Sequence, residues 1–156
     1  MIQDTRGRED STGEWLPQHF EVEDGDDTLN WSAAQPWSDG QVSMTGGSYL
    51  GYVQWAAAAS GNPHLKAMLS SVCAGSAFVD IPRRGGCFNS GMLAWGFAMS
   101  QRRMRPELMA PEHWAALLKI RPLKDLPRIA LGQEVDFLTK CREHKDWADF
   151  WQINTW

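Results

Sequence analysis

The stretch QVSMTGGSYLGYVQWAAAASGNP, residues 41–63, constrains the fold more than any other part of the 156-residue chain. Val42 and Met44 alternate with polar residues, as on one face of a strand. Gly46, Gly47 and Ser48 follow as a turn. An alanine-rich run from Tyr49 to Ser60 then predicts a helix, stopped by Gly61, Asn62 and Pro63. LKAMLSSV from Leu65 reads as the next strand. Upstream, DGDDTLNWSAAQ predicts a helix with Asp24 or Asp26 as its cap, Leu29 and Trp31 on its apolar side, and Pro36 as its stop. Ser38–Gly40 is a turn. Helix, strand, helix and strand alternate, which predicts an α/β fold with a parallel sheet.

One serine sits at the tip of the strand-to-helix turn. A serine hydroxyl attacks a carbonyl only when it is held exposed, deprotonated by a base and flanked by hydrogen-bond donors. A sharp turn into a helix supplies exposure and a backbone N–H just after the serine. Small neighbours permit so tight a turn, hence the pattern G-x-S-x-G. Gly46 stands where that pattern wants it. Two residues after Ser48 stands Leu50, and Gly51 comes one later. From these residues alone two readings stand: a nucleophile at an elbow, or a glycine-rich turn with a capping serine.

The rest of the chain reads differently. Residues 1–23 are expected to be a strand end followed by a loop punctuated by Gly7, Gly13 and Pro17. After about Ala74, GSAFVDIPRRGGCFNSG is loop-like. Met92, Trp95 and Met99 fall at helical spacing, APEHWAALLKI predicts a helix entered through Pro111, and QEVDFLTKCREH another. Residues 75–150 are therefore expected to be mostly helical, layered over the sheet edge that carries Ser48. The expected division is a partial core over 1–74 and a helical cap region over 75–156. The chain opens on an apolar pair in MIQDTRG and closes on DFWQINTW, and its nine tryptophans require a sizeable core. A piece of a larger protein is expected.

Composition excludes several classes. A net charge of −4 gives no electrostatic case for nucleic acid, and the arginines and lysines from Arg102 to Arg128 read as a solvated helical face. No apolar stretch approaches the ~18 residues of a membrane span, and the charged start does not resemble a signal peptide, so none is expected. Cys73, Cys87 and Cys141 are widely separated and show no metal-ligand spacing, so neither a metal nor another cofactor is expected. A reduced, cytoplasmic protein fits these thiols.

Three motifs carry a resemblance. Gln3, Asp4, Arg6, Gly7, Ser11 and Gly13 match Q-D-x-R-G-x-x-x-S-x-G. Asp27, Thr28 and Trp31 match D-x-x-D-T-x-x-W. Gly46, Ser48, Tyr49 and Gly51 match G-x-S-Y-x-G. Over residues 3–70 the chain strongly resembles the cocaine esterase and X-Pro dipeptidyl-peptidase family of α/β-hydrolases. Further on the likeness is thinner: Gly85, Gly86, Trp95 and FWQINTW resemble the family's helical cap. Ser43 stands where the family commonly has glycine.

The resemblance implies a Ser-Asp-His mechanism on an ester, amide or peptide substrate, with Ser48 as nucleophile and the Tyr49 backbone N–H as one oxyanion donor. It implies that Trp95 lines the acyl pocket, against the alternative of ordinary core packing. The family's second oxyanion donor is a tyrosine from an earlier loop, whereas this chain's two tyrosines, Tyr49 and Tyr52, both follow Ser48. The family's catalytic Asp and His come after the cap and are expected to be missing here. His64 and Asp39 lie at the wrong end of the predicted elements, His113 on a predicted cap helix, His144 in the solvated stretch REHKDW, and His19 before the serine. The competing reading is a non-catalytic remnant or interaction module that keeps the elbow. Substrate identity and oligomeric state are not legible.

Overall fold

The structure is a computed structural model, and residues 1–152 are described. The chain divides into two compact units, one of Pro17–Ile81 with the chain from Ala148, the other of Met1–Leu16 with Pro82–Trp147.

The first unit holds α1 (Glu21–Ala33), β1 (Val42–Gly47), α2 (Tyr49–Ala59) and β2 (Leu65–Ser71). The strands pair in parallel, from Ser43 opposite Ala67 to Gly47 opposite Ser71. Parallel neighbours need a crossover, and α2 provides it. Among the described residues the sheet has these two strands only. No residue of either strand is fully buried, and Leu69 is 72% exposed. Alanines on α2 let α1 come close: a Cβ built on Gly25 would stand 2.9 Å from that of Ala57. Leu29, Tyr52, Ala56 and Ala57 fill the space between. Behind them, Asn62 is buried and donates from Nδ2 to Asp26 Oδ1 (2.7 Å) and Asn30 Oδ1 (2.9 Å), so its amide is satisfied. The short α7 (Asp149–Gln152) places Trp151 against Phe78, with ring centroids 5.5 Å apart. Trp31 and Trp37 stay more than half exposed and meet edge to face at 6.3 Å.

The second unit has two short strands, β3 (Arg83–Arg84) and β4 (Cys87–Phe88), paired as a hairpin. The helices α3 (Ser90–Ala98), α4 (Pro111–Leu117), α5 (Leu126–Leu131) and α6 (Asp136–Glu143) follow. Phe97, Leu126, Val135, Phe137, Leu138 and Cys141 form its core. The opening loop packs onto this core through Arg8, which is buried and donates from Nη1 to the carbonyls of Met99 (2.9 Å) and Gln101. Its guanidinium stacks over Trp15 at 4.9 Å. Arg102 fixes the same loop by donating to the carbonyls of Glu9 and Ser11.

Three expectations change. Residues 1–5 form no strand, and Ile2 is 98% exposed; a strand exists only through a ladder partner, and none lies beside them among the described residues. The first helix begins at Glu21 rather than Asp24, and neither Asp24 nor Asp26 caps it. Glu21 folds back instead and accepts from the amides of Gln18 and Phe20, both at 3.0 Å. The loop after Ala74 contains the β3–β4 hairpin, while α5 lies in the stretch expected to be helical, although no helix was delimited there. Of the closing FWQINTW, the last four residues lie outside the described residues.

Candidate active site

Ser48 joins β1 to α2 with φ 56° and ψ −125°. A side chain at positive φ clashes with its own backbone, so few residues other than glycine hold it without support. The support is visible. Ser48 N donates to Ser71 O at 3.0 Å, which continues the sheet ladder past the end of β1. The amides of Gly51 and Tyr52 donate to Ser48 O, each at 3.0 Å, which starts α2. The turn is thus clamped from both sides, and its serine is exposed.

Two glycines make the turn possible. Gly46 has φ +154°, and a Cβ there would fall 2.6 Å from the Cβ of Leu50. Gly51 faces β2, and a Cβ there would fall 2.9 Å from that of Cys73 and 3.0 Å from Ser71 O. The second small residue is therefore required three positions after the serine, where α2 touches the neighbouring strand. Leu50 points away and is 61% exposed.

Tyr49 is the first residue of α2, so its N–H belongs to the helix's N-terminal, electropositive end. Its ring is held from below. The hydroxyl donates to Glu21 Oε1 and accepts from Gln18 N at 3.1 Å. Burial pushes the Glu21 carboxyl above its ordinary range, although the bonds from Tyr49, Gln18 and Phe20 act against that. Burial first, and the Glu21 charge second, push the Tyr49 hydroxyl well up, and Tyr52 moves the same way for the same two reasons. Both phenols stay protonated at neutral pH. Gln54, on the inner face of α2, is fully buried and reaches the carbonyls of Gly46, Leu50 and Leu69. Neither Glu21 nor Gln54 was singled out from the sequence. The one available signal was for Gln54, a polar residue on the otherwise apolar side of a predicted helix.

No side chain among the described residues hydrogen-bonds the Ser48 hydroxyl. His64 stands at the start of β1, where its Nδ1 lies 2.8 Å from Gly40 O and its carbonyl accepts from Val42 N. Six residues of strand separate it from Ser48, about 20 Å at the usual rise. His19 stacks on Phe150 at 4.3 Å, with Nδ1 3.2 Å from Pro17 O. In the other unit His113 is exposed on α4, while His144, expected to be solvated, is half-buried at the end of α6. Trp95 lies on α3 between Trp15 (5.8 Å) and Phe137 (5.4 Å, edge to face). The described residues contain no group of His, Cys, Asp and Glu that could hold a metal, and no helix long and apolar enough to cross a membrane.

The profile of the X-Pro dipeptidyl-peptidase family, S15, matches residues 1–155. The chain belongs to that family. Cocaine esterase from Rhodococcus sp. (strain MB1 Bresler) is 35% identical over 173 residues, covering 97% of this chain and 29% of that protein. Among solved structures, an α-amino acid ester hydrolase superposes with a TM-score of 0.76 at 22% identity, covering 97% of this chain and 27% of that one. A CocE/NonD family hydrolase from Staphylococcus aureus superposes at 0.65 and 25% identity, over 96% and 23%. These likenesses establish the fold as part of an α/β-hydrolase. The S15 chain described here spans less than a third of the length of each of these relatives.

Proposed function

We propose that Ser48 is the nucleophile of a serine hydrolase that cleaves an ester or amide bond through an acyl-enzyme. The observation that carries this reading is the backbone of Ser48, an exposed, strained serine clamped between a strand and a helix N-terminus. Strain of this kind persists where the surroundings over-determine it, and function is a reason to keep it. In the reaction the hydroxyl adds to the carbonyl while a base takes its proton. The oxyanion forms beside the Tyr49 N–H. The leaving alcohol or amine departs with the base's proton, and water then releases the acyl group by the same steps. The matched relatives carry names of ester and peptide hydrolases, which fits small esters, amides or X-Pro peptides as substrates.

This chain, in our reading, supplies the nucleophile and one oxyanion donor but neither the base nor the orienting acid of the triad. His19 and His64, which share the unit of Ser48, support that: among the described residues neither bonds to it. Trp95 is proposed to line the acyl pocket. Its aromatic neighbours Trp15 and Phe137 support packing in the core as the alternative. The division into a core over 1–74 and a cap over 75–156 is retained as a proposal about descent, although residues 1–16 pack with the helical unit. Cytoplasmic residence is proposed from three cysteines that form no disulfide.

The test is p-nitrophenyl ester turnover by the purified chain beside Ser48→Ala. Little or no serine-dependent turnover is expected, because the members of a triad act as a unit. Serine-dependent turnover matching an intact family enzyme would overturn the missing-base reading and would point to His19, His113 or His144.

A further inference from the structure

Gln54 lies six residues after Ser48 on α2 and has no exposed surface. Its Nε2 stands 2.8 Å from Leu50 O, 3.2 Å from Gly46 O and 3.4 Å from Leu69 O. Those carbonyls belong to the helix start, the end of β1 and β2. Its Oε1 is buried and has no hydrogen-bond partner among the described residues. A buried acceptor without a donor is costly, and a methionine of similar volume would avoid that cost. An apolar residue here would fill the same space but could not tie the three segments together. Gly46 is two residues before Ser48, and the two segments that clamp Ser48 are the ones that Gln54 bridges.

We propose that Gln54 is a positioning residue for the nucleophile, whose side-chain amide binds β1, α2 and β2 into one unit and so holds Ser48 in its positive-φ conformation. The inference rests on the reading of Ser48 as nucleophile for its functional meaning, and on the hydrogen bonds for its physics. It predicts an energetic coupling. Glycine at position 48 relieves the strain at that residue. If Gln54 maintains the strain, removing Gln54 lets the turn relax, and glycine then has less to relieve. A residue that merely fills the core shows no such coupling.

The experiment is a double-mutant cycle on the full chain between Ser48→Gly and Gln54→Met, read as folding equilibrium constants from urea unfolding. The gain from Ser48→Gly is expected to be at least about threefold smaller in the Gln54→Met background, within the usual range for residues sharing a network. The control is Asn62→Ala, which breaks the amide's bonds to Asp26 and Asn30 in the same unit and should leave the gain unchanged. Equal gains with and without Gln54, or an equal loss of gain in Asn62→Ala, would overturn the proposal.

If Gln54→Met does not fold, hydrogen exchange in the unaltered chain decides. The Ser48 amide and the Gln54 side-chain amide should open together, with opening constants within about threefold of one another. A Ser48 amide that opens more than about tenfold more readily than the Gln54 side chain would overturn the proposal. Neither readout uses ester turnover. A nucleophile reading that fails by activity leaves the coupling intact, and additive mutants leave the nucleophile reading intact.

Discussion

Replacing Ser48 by glycine should stabilise the protein, while replacing it by alanine should not. The φ of 56° with ψ −125° lies outside even the left-handed helical region that asparagine and aspartate tolerate. Holding a side chain there costs about 1–3 kcal/mol. Glycine removes that cost but adds freedom to the unfolded chain, worth about 0.4–1 kcal/mol in the opposite sense. Ser48 is exposed and its hydroxyl makes no hydrogen bond among the described residues, so its loss subtracts nothing. The net expectation is a gain of about 0.5–2 kcal/mol, from the difference of those two terms. For a chain of this size that raises Tm by roughly 1–8 °C. Alanine keeps the Cβ and therefore the strain, and should stay within about 0.5 kcal/mol of the parent, as other exposed substitutions do. Thermal and urea unfolding followed by tryptophan fluorescence measures both. A Ser48→Gly protein no more stable than Ser48→Ala would refute the strain argument, and with it the observation that carries the functional reading.

Other substitutions probe the same elements. Gly51→Ala should destabilise by about 1–3 kcal/mol, the usual range for overpacking, because the new methyl meets the Ser71 carbonyl and the Cys73 side chain; an unchanged urea midpoint would contradict the close approach of α2 to β2. Glu21 has a carboxyl whose pKa is higher folded than unfolded, so its contribution is fully present below the unfolded value and is lost as pH rises through the folded one. The stability of the parent minus that of Glu21→Gln should therefore fall as pH rises above the unfolded carboxylate range, about pH 4, and a difference that grows with pH in urea titrations would be the wrong sign. Burial pushes the Cys141 thiol up to about 12, whereas Cys87 is exposed. Cys87 should react with a disulfide reagent within minutes in the native protein and Cys141 only on unfolding; early labelling of Cys141, read by mass spectrometry, would contradict the packing of α6.

The elements that place the site were legible because their signals are local. Val42 and Met44, the paired glycines, the alanine run and Gly61-Asn62-Pro63 each act within a few residues, and β1, α2 and β2 appear where they pointed. The start of α1 was misread because its N-terminus is satisfied by a side chain inside the helix. Glu21 accepts from Gln18 and Phe20, which places the boundary three residues before the aspartates. No rule of caps signals that without knowing that Tyr49 is nearby. The role of Gln54 was hidden for a similar reason, since its partners on β1 and β2 become neighbours only after folding. The helix at Leu126–Leu131 follows closely on another turn and carries Pro127 in its first turn, so its apolar period is too short to read. Gly51 was legible as a departure from G-x-S-x-G, but its reason, the contact with Ser71 and Cys73, lies in the tertiary structure.

The central claim is that Ser48 is the nucleophile. Its most direct test uses this chain joined to the Asp- and His-bearing remainder of a family enzyme, treated with a fluorophosphonate and mapped by mass spectrometry. The account predicts one adduct, on Ser48, together with p-nitrophenyl ester turnover that Ser48→Ala lowers by at least about a thousandfold, as loss of a triad nucleophile does. An adduct on another residue, or turnover that survives Ser48→Ala, would contradict it.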